Sequence, residues 1–296
     1  LPSHRLVRPE LVGLTTPSRL HSATAKQEPT FNTNRKYLNP VLEKEATLLH
    51  LDQVQSSYTE MKSPLIVIGS DPTPFQWFKL LPTLAKHPNA RIILEAGASL
   101  YGWDLEDSKV IKSKIILGWE AWLYRLKHPN SSPFSSIDGI VRLGKEVVNP
   151  ALARFFSEHK HLTQLRFITH EPFEDAIASE PSFITPEVAF SWVNLQKKHT
   201  QITTKDWHSA FDEQHKQHLE LLAKQFIHNK NDTLTDGAVF YRLSTIIPAS
   251  TPIFLSNSLP VRDQALFAPM WSVDNPLIAQ RGAAGIDGIS STALGV

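Results

Sequence analysis

The chain has no cysteine, which excludes a disulfide framework and any thiolate metal site. A cysteine-free composition suits a reducing compartment, and the expected location is cytoplasmic. Charge of one sign is also missing: 30 basic against 29 acidic residues leave a formal net charge of +1, so bulk charge makes no case for nucleic acid or a membrane surface. No apolar run approaches the ~18 residues needed to span a bilayer. Methionine is confined to Met61 and Met270 and the chain opens at Leu1, so the expectation is a processed chain or an internal fragment. Glycine is scarce, with 12 in 296 residues, and unevenly distributed: Gly282, Gly285, Gly288 and Gly295 all fall within residues 280–296. What is present, 41% hydrophobic and 20% charged residues, describes a soluble globular protein long enough to bury a substantial core.

Residues 1–34 are rich in Ser, Thr and Pro, with Arg5, Arg8, Arg19 and Lys26 opposed by Glu10 and Glu28, and read as a linker. Beyond them the pattern is rhythmic. A broken amphipathic helix spans 38–61. Short apolar runs ending in glycine or small residues, Pro64–Ser70, Arg91–Ala96, Lys114–Leu117, Ile137–Leu143 and Gln164–Thr169, read as buried strands. Helical stretches alternate with them at 75–86, 119–126 and 150–159. Strand, helix, strand within about thirty residues marks a parallel βαβ unit, so residues 35–200 are expected to form a central doubly wound α/β domain. The turn Gly69-Ser-Asp-Pro lacks the glycine fingerprint of a dinucleotide site, and Asp71 would repel a phosphate there.

Residues 171–204 turn irregular, with Pro172, Pro181 and Pro186, as at a domain boundary. A long helix over 206–228 follows. Its histidines His208, His215, His218 and His228 have no metalloprotease pattern and read as part of a polar face. A helix at 236–246 and a strand at 252–255 then open a second α/β domain over residues 201–296, incomplete at Val296.

Two stretches carry chemistry. After the 252–255 strand come Asn257 and Ser258, with Arg262 one helical turn further if Leu259–Phe267 is helical. Ligands of parallel sheets lie at the carboxyl edge, and a guanidinium fork suits a carboxylate; alternatively Arg262-Asp263 is a solvated charge pair starting a surface helix. The second stretch, Gln280-Arg-Gly-Ala-Ala-Gly-Ile-Asp-Gly288, surrounds Arg281 and Ile286 with small residues. It suits a turn wrapped around a flat ligand, or else a plain glycine-rich lead into a helix at 289–294.

These two motifs, Phe254-Leu-Ser-Asn-Ser-Leu-Pro-Val-Arg-Asp263 and Arg281-Gly-Ala-Ala-Gly-Ile-Asp-Gly-Ile-Ser-Ser-Thr-Ala-Leu-Gly295, taken in this order, resemble those of 2-succinyl-5-enolpyruvyl-6-hydroxy-3-cyclohexene-1-carboxylate (SEPHCHC) synthases. That family makes a menaquinone precursor with thiamine diphosphate and Mg2+. The resemblance implies decarboxylative condensation of 2-oxoglutarate with isochorismate by a homo-oligomer. It assigns Ser258, Arg262 and Arg281 to substrate binding, Arg281 on a carboxylate of the 2-oxoglutarate-derived part. Asn257, Ala284 and Ile286 go to cofactor binding, Ile286 as the bulky prop and Ala284 through its carbonyl. The sequence departs from the family at Gln280 (usually Asn) and Ser256 (usually Gly). Pro150 and Ala151 stand where the family places a basic pair, with Lys145 a nearby basic residue. The family's activating glutamate and its metal ligands have no counterpart in these residues, so no catalytic or metal residue is assigned and the isolated chain is expected to be inactive. Other readings are a non-catalytic binding module of this type, or a thiamine enzyme of the acetolactate synthase type.

Overall fold

The computed structural model describes residues 50–69, 80–101, 108–125, 133–144, 147, 149–168, 181–194, 205–227, 234–280 and 287–295. The chain divides into two compact units, Leu1–Lys44 and Glu45–Val296. The first lies outside the described residues, as does the expected linker at 1–34.

Within the second unit, five parallel strands form one sheet: β1 (Pro64–Ile68), β2 (Arg91–Leu94), β3 (Gly139–Leu143), β4 (Thr163–Phe167) and β5 (Ser182–Ile184), in the order β2-β1-β3-β4-β5. The strands are apolar runs because both faces are covered. Alternate residues feed two cores. Ile66, Ile68, Ile92, Leu94, Val141, Leu143, Leu165 and Phe167 face one way. They pack with residues from α1 (Leu51–Glu60), α2 (Leu80–Ala85), α3 (Ser108–Lys114) and α6 (Pro186–Asn194). Leu65, Val67, Ile93 and Ile140 face the other way, against α4 (Trp119–Arg125), α5 (Pro150–Glu158) and Phe211 of the 22-residue α7 (Lys205–Phe226). The expected doubly wound α/β class is therefore observed.

Two expectations need correction. The apolar run at 114–117 is not a strand. Helix α3 extends to Lys114, and Ile115 makes an isolated parallel bridge to Ile92, with the Ile116 amide donating to the Ile92 carbonyl. The proline-bearing stretch near 181–194 is not wholly irregular either. Pro181 precedes β5, and Pro186 occupies the first position of α6, where its missing N–H costs nothing. The expected helix at 38–61 is seen from Leu51; its start falls outside the described residues.

Beyond α7 come α8 (Asp236–Ile246), β6 (Ile253–Leu255), α9 (Leu259–Phe267), α10 (Trp271–Asp274), β7 (Leu277–Ala279) and α11 (Ile289–Gly295). Strands β6 and β7 pair in parallel as a second, two-stranded sheet. Ile253, Leu255, Val261, Ala265, Ala268 and Trp271 form its core, joined by Ala96 from the turn that follows β2. At that turn Gly97 has φ +83°, and a Cβ there would lie 2.8 Å from the Ala279 Cβ and 3.6 Å from Val261 Cγ1. The close approach requires glycine.

The long helix is pinned rather than free. Arg91, buried at the start of β2, pairs with Asp212 at 3.1 Å. His218 is buried, not on a solvated face as its polar neighbours suggest: its ring lies against the backbone of Gly118 and its Nε2 lies 3.1 Å from the Leu266 carbonyl.

Candidate functional site

The candidate site begins where β6 ends. Leu255 pairs with Ala279, and the Gln280 amide continues the ladder to the Leu255 carbonyl at 3.1 Å. Residues 256–258, after β6, and Gln280, after β7, therefore lie at one carboxyl edge of one parallel sheet. Asn257 and Ser258 of the first stretch singled out in the sequence and Gln280, the first residue of the second, thus share one edge, the side on which parallel α/β sheets take their ligands. Arg281, Ala284 and Ile286 lie outside the described residues, as does Lys145.

Ser258 caps α9 with φ 68° and ψ −122°, a left-handed backbone that a residue with a Cβ rarely adopts, at a cost of about 1–3 kcal/mol. Its hydroxyl makes no capping bond. Pro260, inside the first turn, has no N–H to leave open. The exposed Leu259, in the first turn, and the exposed Ser258 hydroxyl stand at the positive end of a helix dipole, while Val261 is fully buried. Arg262, one turn on and exposed, has no ion pair among the described residues. Residues Leu259–Phe267 are helical, with Ser258 at the N-cap and Arg262 near the start of the helix. Asn257 is half-buried, and its backbone carbonyl accepts from the Ser256 hydroxyl at 3.3 Å. Asp263, beside Arg262, has its carboxyl pushed above the ordinary range, first by burial and then by Asp236 in the first turn of α8.

A second polar group lies at the carboxyl edge of the five-stranded sheet. Glu95, Glu120 and Asn149 are all nearly inaccessible. The Asn149 amide donates to Glu95 Oε1 at 2.9 Å and its Nδ2 donates to Glu120 Oε1. Its Oδ1 accepts the amides of Ala151 and Leu152, capping α5. Pro150 is exposed at the first turn of that helix and Ala151 is buried. The positions where a basic pair was sought thus serve as a helix start. The Asn-Pro pair was the available signal for this cap; the carboxylates joining it from two other elements left none.

The described part of the β6–β7 edge offers an exposed helix start, a hydroxyl and a guanidinium to an anion, with Asp263 half-buried beside them. Among the described residues no group of three or more His, Asp or Glu side chains could hold a metal ion, and no helix is long and apolar enough to cross a membrane.

The fold defines a parallel α/β protein. Its relatives narrow this. No protein-family model matches the chain. It is 28% identical over 162 residues to the SEPHCHC synthase of Geobacillus kaustophilus, covering 53% of this chain and 27% of that protein. It is 30% identical over 162 residues to the Lysinibacillus sphaericus SEPHCHC synthase, with the same shares. Over 68 residues it is 47% identical to the Rippkaea orientalis SEPHCHC synthase, covering 22% of this chain and 11% of that protein. The matched part spans about a quarter of the first of these relatives. The resemblance to SEPHCHC synthases is therefore borne out over about half of the chain.

Proposed function

We propose that this chain carries one wall of the active site of an enzyme that condenses 2-oxoglutarate, with loss of CO2, with isochorismate to give SEPHCHC in menaquinone biosynthesis. The observation that supports this reading is the β6–β7 register, which sets Asn257 and Ser258 of the first resemblance motif at the same carboxyl edge as Gln280, the residue directly before the second. In this reading residues 35–200 are a scaffold domain and residues 201–296 the first part of a cofactor-binding domain. Ser258 and Arg262 hold substrate hydroxyl and carboxylate groups, and Arg281 a carboxylate of the 2-oxoglutarate-derived part. Asn257, the Ala284 carbonyl and Ile286 line the cofactor. Thiamine diphosphate, when bound with Mg2+, would supply the electron sink for decarboxylation. The residues of this chain bind and orient: both substrates are carboxylates, and an exposed guanidinium beside the hydroxyl at a helix start suits them. The working form is a cytoplasmic homo-oligomer.

The test is isochorismate consumption by the full-length protein bearing this sequence, supplied with 2-oxoglutarate, thiamine diphosphate and Mg2+. Consumption that requires all three is expected. No consumption, or condensation with pyruvate instead, overturns the reading. A second reading, a binding module without turnover, is favoured by Pro150 and Ala151 standing where the resemblance calls for a basic pair. Thiamine diphosphate binding in calorimetry with no isochorismate consumption would select it.

A further inference from the structure

Ser258 sits in a backbone region that residues with a Cβ avoid, and it carries no side-chain cap to hold it there. Such a conformation persists when its surroundings over-determine it. The restraint must come from how α9 is seated. One seat is Val261, packed toward the turn at Gly97. The other is Gln264. This side chain is 0% exposed, within a core built from Leu255, Val261, Ala265 and Trp271. An amide in such a place is costly unless it is bonded. Its Nε2 donates to the Ala268 carbonyl at 3.2 Å and to Ser272 Oγ at 3.1 Å, while its buried Oε1 has no partner among the described residues, so only the donor half of the amide is used. The Ser272 carbonyl in turn accepts the Leu100 amide at 2.9 Å, and Ser99 Oγ donates to the Asn275 carbonyl at 2.9 Å. A run of hydrogen bonds so leads from the middle of α9 to the segment that follows β2.

We propose that Gln264 is a positioning residue: its two bonds lock α9 to the Ala268–Ser272 turn, and through Leu100 to the carboxyl side of the five-stranded sheet. They thereby hold Ser258 and Arg262 at the β6–β7 edge. Gln264 touches no substrate. Its effect on substrate binding rests on the reading of Ser258 and Arg262 given above; its effect on the backbone at 256–262 does not. An apolar residue of the same length would fill the core equally well, so the amide is there for direction rather than volume.

The experiment replaces Gln264→Met in the full-length protein, keeping side-chain volume and removing both donors. Amide hydrogen exchange is followed by residue alongside KM and kcat for the two carboxylate substrates. Exchange at residues 256–262 is expected to rise about tenfold, with β1 to β4 unchanged, and KM to rise about tenfold with kcat within about twofold. Ser272→Ala should reproduce part of the effect, and Ser272→Thr, which keeps an Oγ, should not. Unchanged exchange at 256–262, or a rise spread equally over β1 to β4, overturns the proposal. So does an unchanged KM for Gln264→Met when Arg262→Ala raises it. A local rise in exchange with an Arg262→Ala variant of unchanged KM upholds the positioning and removes Arg262 from the substrate.

Discussion

Lys114 offers a test of the burial argument with a worked sign. It closes α3, is buried, and donates from Nζ to the His87 and Pro88 carbonyls at 2.9 Å each. Burial, then the nearby Arg91 guanidinium, lowers its pKa from 10.5 to about 8. At about 1.4 kcal/mol per pKa unit, that shift corresponds to a ceiling of about 3 kcal/mol, which solvent screening reduces to about 1–2 kcal/mol. Between pH 8 and 10.5 the unfolded chain holds the Lys114 proton and the folded chain does not, so stability rises with pH across that window. Below the window both states are charged and the cost of burying the ammonium is fully present. Lys114→Met removes this dependence, and other titrating groups cancel between the two proteins. The assay is urea unfolding followed by tryptophan fluorescence at pH 7, 8, 9 and 10. The wild-type stability minus that of Lys114→Met should grow by about 1–2 kcal/mol from pH 8 to 10. A flat difference would refute the reasoning, whatever the absolute effect of the substitution at pH 7.

Three further outcomes follow from other contacts. Gly97→Ala combines a left-handed backbone with a Cβ 2.8 Å from Ala279, and should cost about 2–4 kcal/mol in chemical denaturation; a loss under 1 kcal/mol would mean that the two sheets are not held as close as described. Tyr58 donates to the Leu84 carbonyl at 2.6 Å, and burial raises its pKa well above 10. Its unfolded form therefore ionises first, and stability falls as pH rises past 10; Tyr58→Phe should lower stability by about 1 kcal/mol at pH 7 and abolish its share of that fall. Asp236→Asn should bring the Asp263 titration, read by carboxyl NMR, part of the way down, because burial and not Asp236 is the leading cause of its rise; an unmoved titration would separate the two carboxylates.

Much of the fold was legible because strands buried on both faces cannot afford polar interruptions. Pro64–Ile68 and Arg91–Leu94 stand out for that reason, even with Arg91 buried among the apolar residues. The same logic misread 114–117, where an equally apolar run packs against Ile92 through a single bridge and never forms a ladder. Strand β5 and helix α6 were hidden by Pro181 and Pro186, which open elements here rather than break them. Strand β7 is three residues long, too short for any periodicity to register. In the site, helix Leu259–Phe267, on which the reading of Arg262 depends, is observed. The positive φ at Ser258 was not legible, since serine gives no warning of it. Nor were the buried partners of Asn149, which arrive from elements 54 and 29 residues away.

The shared core at Ala96 has a consequence for the order in which the molecule assembles. The β6–β7 core borrows Ala96 from the turn after β2, whereas the larger sheet draws its two cores from residues up to Phe211, with Val273 alone added from beyond. The small sheet is thus a late, dependent layer that condenses on a finished template. Its edge, with Ser258 and Arg262, is then expected to open before the five-stranded sheet does. Sub-global opening there would uncover the candidate site while the scaffold beneath it stays closed.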